Sequence, residues 1–222
     1  MQNCVLFQTL LRFTVQTISN MKVKQFILGG IETNTYVVYR NGKCLVIDPP
    51  FDNFDTVERF VDQNNLTPVA VVLTHGHFDH CGGAQKIANK YGVDIWAHPN
   101  DWALASSAEF NLWRMPCKNA YPTQPITEQT TQIADFDVKV LHTPGHTEGS
   151  ICLIFGSVMF AGDTLFCRSV GRTDLADSDP QKMIKSLQKL KAISEDYVVY
   201  SGHGISTVLS DEQKNNPYLK LL

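Results

Sequence analysis

Hydrophobic and polar positions along the chain follow two patterns, one typical of β-strands and one of α-helices. Short runs rich in β-branched residues predict strands, and the Asn41-Gly42 pair predicts a tight hairpin turn. The predicted strands lie at 23–28, 35–39, 43–47, 69–73, 93–97, 138–141, 151–155, 158–160 and 197–200. Apolar residues at helical spacing predict helices at 54–66, 85–91, 101–108 and from 180 onwards. With 222 residues and 43% hydrophobic content, the chain is long enough for one layered α/β domain.

A cluster of histidines follows the strand predicted at 69–73. His75, His77, Asp79 and His80 lie within six positions, between that strand and the helix predicted at 85–91. The carboxyl end of a strand is where open α/β sheets build their sites. Neutral imidazole and carboxylate groups suit zinc, and also iron or manganese. We therefore interpret the cluster as metal-binding rather than as a polar turn.

The His-x-His-x-Asp-His pattern after an apolar strand resembles the metallo-β-lactamase superfamily. Three later stretches match its motifs in order: Pro-Gly-His-Thr at 144–147, Gly-Asp-Thr-Leu-Phe at 162–166 and Gly-His-Gly at 202–204. The resemblance spans about 23–204 and is nearest to the glyoxalase II-like hydrolases (hydroxyacylglutathione hydrolases), without their C-terminal helical domain. It implies an α/β fold, a four-layer αββα sandwich, with the metal site at the edge between the two sheets.

The same resemblance implies a complete set of metal ligands. One ion would be bound by His75, His77 and His146, and a second by Asp79, His80 and His203, with Asp163 bridging the two. Two zinc ions are expected, and iron or manganese are alternatives. His98 and His142 correspond to no ligand. Asp48 either lies near the site without binding metal or is a turn aspartate before a proline.

The implied reaction is hydrolysis of a small-molecule thioester by a hydroxide shared between the ions, with His75, His77, Asp79 and Asp163 at the catalytic centre. Arg172 occupies the position where family members place a basic residue that meets the glutathione carboxylate. A guanidinium can bind a carboxylate through two parallel hydrogen bonds. The alternative for Arg172 is a surface ion pair with a nearby aspartate, Asp174 or Asp177.

Two other activities stay open on the same motifs. One is a mononuclear iron oxidoreductase similar to the persulfide dioxygenases, with His75, His146 and Asp163 as the 2-His-1-carboxylate set. The other is a lactonase or β-lactamase. Metal content separates the first from a hydrolase, because a hydrolase of this type would hold two ions.

Composition and charge limit the partners and the cellular location that the sequence predicts. The net charge of −3 argues against nucleic-acid binding, and no apolar run is long enough to span a membrane. The six cysteines form no C-x-x-C pair, so reduced thiols and a cytoplasmic location are expected, with Cys44 and Cys152 in the core.

Residues 1–20 are predicted to be an extension that precedes a domain at 21–222. Residues 100–129 are predicted to contain a loop beside the active cleft. The oligomeric state stays open.

Overall fold

The computed structural model describes residues 21–51, 54–107 and 120–222. Within them, the first half of the chain forms a six-stranded sheet whose strands lie in sequence order. Its strands are β1 (Lys22–Leu28), β2 (Thr33–Arg40), β3 (Lys43–Ile47), β4 (Thr67–Val72), β5 (Ile95–Ala97) and β6 (Gln124–Pro125). The first three strands pair antiparallel and the last three join in parallel, so the sheet is mixed.

The second half of the chain forms a five-stranded sheet in the order β15-β14-β11-β10-β9. Its strands are β9 (Lys139–His142), β10 (Ile151–Phe155), β11 (Val158–Gly162), β14 (Val198–Ser201) and β15 (Thr207–Val208). Two small hairpins accompany it, β7 (Gln132–Ile133) with β8 (Phe136–Asp137) and β12 (Leu165–Phe166) with β13 (Ser169–Val170).

Seven α-helices lie in the described ranges, outside the two sheets. They are α1 (Phe54–Gln63), α2 (Phe78–Cys81), α3 (Ala84–Tyr91), α4 (Trp102–Ser106), α5 (Pro180–Lys191), α6 (Leu209–Asn215) and α7 (Pro217–Lys220). A 3₁₀ turn, Pro99–Asp101, precedes α4. Helix α5 begins as predicted, because the Asp179 carboxylate accepts hydrogen bonds from two backbone N–H groups of the first turn.

Alternation along the strands builds three apolar layers. In β3, Leu45 and Ile47 point to one face of the sheet and Cys44 and Val46 to the other. The first face meets its counterpart on the second sheet, represented by Phe160 of β11, and forms the central core. The opposite faces of the two sheets are covered by α1 and α3 on one side and by α5 to α7 on the other. This is the four-layer αββα sandwich that the resemblance implied.

Most predicted elements are confirmed to within a few residues. The helix predicted at 54–66 ends earlier, at Gln63, and Asn65 just beyond it has a positive φ of 51°. Cys44 and Cys152 are buried, as predicted. The predicted extension at 1–20 and the middle of the predicted loop, 108–119, lie outside the described residues. No helix in the described ranges is long and apolar enough to cross a membrane.

The two sheets are joined at one edge by backbone contacts. Asn34 of β2 donates its backbone N–H to Gly202 O at 2.7 Å, and its side chain donates to the carbonyls of Ser201 and Gly204. Thr33 forms an isolated antiparallel bridge with His203. The segments that follow β4 (a loop and helix α2), β9, β11 and β14 carry all of the predicted ligands, and they converge at this edge.

Candidate metal centre

Three histidines converge from two loops, one on each sheet. His75 and His77 follow β4, and His146 follows β9; all three are buried, and one nitrogen of each lies within 4.8 Å of the others. His77 Nδ1 is 2.9 Å from His146 Nε2. His75 Nε2 is buried and has no hydrogen-bond partner in the structure. We call these residues the three-histidine set.

A second group lies directly beside the first. It consists of Asp79 and His80 of α2 and of His203 after β14. Asp79 Oδ2 is 3.2 Å from the Nε2 atoms of both histidines, and those two nitrogens are 3.3 Å apart. We call these residues the mixed set.

Asp163, at the end of β11, lies between the two sets. Its Oδ2 is 3.4 Å from His146 Nε2 and 3.6 Å from His203 Nε2, and its Oδ1 is 3.5 Å from His80 Nε2. Oδ1 is buried and has no hydrogen-bond partner. One carboxylate thus reaches both sets, which is the position that the resemblance assigned to a bridging ligand.

Hydrogen bonds on the far side of each ring fix which nitrogen carries the proton. His77 Nε2 donates to Asp177 Oδ2 at 3.0 Å, and His146 Nδ1 donates to Arg172 O at 2.8 Å. These bonds leave His77 Nδ1 and His146 Nε2 as two lone pairs that face each other at 2.9 Å. Two lone pairs at that distance repel, so the arrangement requires a cation or a proton between them.

His75 and His80 are fixed in the same way by the loop residue Thr74 and by Asp48. Thr74 Oγ1 donates to Asp48 Oδ2 at 2.6 Å, and His75 Nδ1 lies 3.2 Å from that hydroxyl. His80 Nδ1 donates to Asp48 Oδ2 at 3.0 Å. The Nε2 atom of each ring is then free to bind a metal.

Electrostatics separate the histidines of the two sets. Burial lowers the pKa of His75 well below its ordinary value, and the neighbouring His80 lowers it further. Burial would also lower the pKa of His80, but the carboxylates of Asp79 and Asp163 raise it well above its ordinary value. Burial also lowers the pKa of His146, so His75 and His146 favour the neutral imidazole that binds metal. The mixed set carries the negative charge that a cation would neutralise.

The donor chemistry and the orphaned atoms fit divalent metal ions. Imidazole nitrogens and carboxylate oxygens are ligands of zinc, iron and manganese. The two buried polar atoms without partners at this edge, His75 Nε2 and Asp163 Oδ1, both point into the donor sets. The residues that would hold metal are His75, His77, Asp79, His80, His146, Asp163 and His203.

The remaining predicted residues lie outside the two sets. Arg172 is exposed and forms a two-pronged ion pair with Asp174, at 2.7 and 2.8 Å, while its carbonyl oxygen orients His146. His98 and His142 stack on each other with ring centroids 4.1 Å apart. Among the described residues, neither histidine belongs to a group of three metal-binding donors.

Three residues that support the ligands were not assigned that role from the sequence. Asp177 orients His77, Thr33 donates to Asp79 Oδ2 at 3.1 Å, and Thr74 links His75 to Asp48. Asp48 had been predicted near the site with a turn aspartate as the alternative; its contacts place it against His80 and Thr74. The position of Thr74, close after β4 and directly before His75, is a sequence signal that could have indicated its supporting role. Asp177 and Thr33 lie in no recognisable pattern.

Comparison with known proteins agrees with this geometry. A family model described as the Metallo-beta-lactamase superfamily matches residues 28–203. Hydroxyacylglutathione hydrolase GloC of Haemophilus influenzae is 30% identical over 209 residues, which cover 90% of this chain and 98% of the relative.

Two solved structures are similar over most of their length. BLEG-1 B3 metallo-beta-lactamase has a TM-score of 0.82 and 32% identity, with 89% of this chain and 99% of that chain covered. TTHA1623 in a di-iron-bound form has a TM-score of 0.80 and 32% identity, with 88% and 100% covered. Fold, motifs and sequence similarity agree, and the chain belongs to the metallo-β-lactamase superfamily.

Proposed function

We propose that this protein is a hydrolase that binds two divalent cations, with zinc as the first expectation, and cleaves a thioester of the hydroxyacylglutathione type. One observation carries the proposal: six donors fall into two adjacent sets of three, and a seventh donor, the Asp163 carboxylate, lies between them. The similarity to a relative named as a hydroxyacylglutathione hydrolase supports the substrate class. The similarity to a di-iron-bound structure supports a two-ion site and leaves iron as the alternative metal.

When bound, two such cations supply Lewis acidity, which lowers the pKa of water from about 15.7 to about 7 and polarises an acyl carbonyl. The chain itself supplies orientation. Asp48, Asp177 and the Arg172 carbonyl hold the imidazole rings with their unprotonated nitrogens facing inward. Fixed donors of this kind need no rearrangement during the reaction.

The charge of the donor sets suits an anionic transition state. Asp79 and Asp163 are the two carboxylates that face the sets, while the five histidines there are neutral when they bind metal. Two divalent cations would exceed the charge of these two carboxylates by about +2, and the Asp48 and Asp177 carboxylates behind His80 and His77 would reduce that excess. A thioester suits such a site because the thiolate leaves readily and requires little help from a general acid.

The test combines metal analysis with a substrate panel on the full chain. We expect two equivalents of zinc per chain after loading, and hydrolysis of S-D-lactoylglutathione faster than that of a lactone or a β-lactam. The variant Asp163→Ala should lose bound metal and activity together. The control variant His142→Ala should keep both.

Two experimental results would change the proposed reaction or the proposed substrate class. One equivalent of iron, no recoverable second ion and oxygen uptake would favour the mononuclear oxidoreductase. Two ions with a preference for the lactone or the β-lactam would keep the metal site and change the substrate class.

A further inference from the structure

A buried carboxylate outside the ligand sets links the two loops that carry the three-histidine set. Asp101 ends the 3₁₀ turn after β5 and is 1% exposed. It lies more than 20 residues from either histidine loop along the chain, yet it contacts both of them. Burying a carboxylate is costly unless its oxygens accept hydrogen bonds, so these contacts account for its place in the interior.

Each oxygen of this carboxylate is used. Oδ2 accepts from Gly76 N at 2.8 Å and from Thr147 Oγ1 at 2.6 Å, and Oδ1 accepts from Gly149 N at 2.6 Å. Gly76 lies between His75 and His77, and Thr147 follows His146 directly. One side chain therefore connects the backbone of the first histidine loop to the second loop.

The close approach of Asp101 also explains two glycines. A Cβ on Gly76 would lie 2.9 Å from the Asp101 carbonyl oxygen, and a Cβ on Gly149 would lie 2.5 Å from Asp101 Cγ. Neither glycine has a positive φ. Space for Asp101, rather than an unusual backbone conformation, is what these positions require.

We propose that Asp101 is a positioning residue for the three-histidine set. By holding the two loops together, it keeps His77 Nδ1 and His146 Nε2 close enough to bind the same ion. The hydrogen bonds of its carboxylate go to Gly76, Thr147 and Gly149 and not to Asp79, His80 or His203, so its effect should be confined to one set. The inference rests on the proposed metal-binding function. Loss of a group that orients metal ligands typically weakens metal binding by about 10- to 100-fold.

The experiment measures zinc affinity by competition with a chromophoric chelator, in two backgrounds that each keep one set. His203→Ala leaves the three-histidine set complete, and His146→Ala leaves the mixed set complete. Asp101→Asn places an amide N–H₂ against at least one of the three N–H or O–H donors, and so breaks the connection with almost no change in volume.

We expect Asp101→Asn to weaken zinc binding by about 10- to 100-fold in the His203→Ala background and by less than about threefold in the His146→Ala background. Asp137→Asn is the control for loss of a negative charge. The Asp137 side chain is 83% exposed and belongs to neither donor set. The substitution should change neither affinity.

Thr147→Val provides a milder second variant if Asp101→Asn does not fold. It replaces the hydroxyl that donates to Asp101, and that also contacts Ser150 Oγ, with a methyl group, and it keeps the two backbone donors to Asp101. It should weaken zinc binding several-fold in the His203→Ala background alone. Equal losses in both backgrounds, or unchanged zinc affinity with a lower melting temperature of the metal-free protein, would overturn the positioning role. A wild-type chain that binds no zinc in either set would instead contradict the proposed function.

Discussion

Gly202 leaves the space that the Asp163 carboxylate occupies. A Cβ at this position would lie 2.0 Å from Asp163 Oδ1 and 2.7 Å from His80 Cε1. The interior around it is close-packed, so the carboxylate would have to move away from the two sets. The glycine before the last predicted ligand is therefore part of the site, although it offers no donor.

We expect Gly202→Ala to lower zinc affinity by about tenfold or more, because Asp163 would lose its position between the sets. Competition with a chelator measures the change. Gly30→Ala is the matched control, since no atom lies within 4 Å of a Cβ there and its φ is not positive. Wild-type affinity in a folded Gly202→Ala protein would show that Asp163 does not need this space.

Arg172 has two roles to separate, because its carbonyl orients His146 while its guanidinium pairs with Asp174. If the guanidinium binds a substrate carboxylate, Arg172→Ala should lower kcat/KM on lactoylglutathione by about ten- to hundredfold, the equivalent of about 1.5–3 kcal/mol. Arg172→Lys should recover part of the loss, because lysine lacks the planar fork. Metal content should stay at the wild-type level.

Asp174→Asn is the control for that experiment. It removes the competing carboxylate and leaves the guanidinium in place, so activity on lactoylglutathione should be kept. Equal losses for Arg172→Ala on a neutral thioester would assign the guanidinium to loop structure through Asp174 instead.

The sequence was sufficient to predict which residues converge at this edge, because each candidate ligand belongs to a motif at the end of a strand. His146, Asp163 and His203 are far apart along the chain, yet their short flanking patterns singled them out as candidates. Asp177 and Thr33 lie in no such pattern. Their contacts with His77 and Asp79 depend on how distant loops pack, and that packing is not visible in local spacing.

At the scale of elements, the C-terminal helices hold the β12–β13 hairpin, which begins two residues after Asp163. Glu212 of α6 is fully buried and accepts from the backbone and guanidinium of Arg168 at 2.8 and 2.7 Å. It also accepts from Thr207 Oγ1 and Asn216 Nδ2. Arg168 itself has a positive φ of 61°, a conformation that these bonds help to maintain.

We expect Glu212→Gln to reduce the free energy of unfolding by about 1–3 kcal/mol, because it weakens an ion pair whose Arg168 end is partly exposed and leaves hydrogen-bond donors without a charged acceptor. Urea unfolding of the metal-free protein measures the change. Asp211→Asn is the matched control: Asp211 also binds Arg168, but its side chain is 48% exposed, and its loss should cost about 0–1 kcal/mol. Equal effects of the two substitutions would contradict the importance of burial.

The elements themselves were predictable to different degrees. Strands such as β10, whose five residues are all buried, and helix α5, with its Asp179 cap, show clear patterns in the sequence. Helices α6 and α7 are short and polar, with seven and four residues, and were not predicted. Leu209 and Leu219 pack in the apolar cluster with α5, and polar contacts join α6 and Asn216 to the β12–β13 hairpin. These tertiary contacts, rather than their own periodicity, stabilise the two helices.

At the scale of the whole molecule, each donor set takes residues from both sheets. His75 and His77 come from the first sheet and His146 from the second; Asp79 and His80 come from the first and His203 from the second. A bound ion would therefore bind the folded arrangement and not the unfolded chain, so it would stabilise the protein by mass action.

For each occupied site, we expect zinc at about 100 times its Kd to add about 2.7 kcal/mol and to raise the melting temperature by about 5–10 °C. Thermal unfolding with and without a chelator measures this difference. Asp163→Ala should lose most of the zinc-dependent shift. A melting temperature that does not respond to zinc in the wild-type protein would argue against metal binding in the folded state.

The position of the donors along the chain also sets an order of events during synthesis. The first sheet and its four donors leave the ribosome early, but the three-histidine set is incomplete until His146 is made, and the mixed set until His203 is made. A domain generally folds as a unit, so the first sheet alone does not complete either set. A nascent chain that lacks the second sheet therefore cannot capture an ion at full affinity, and loading follows docking of that sheet.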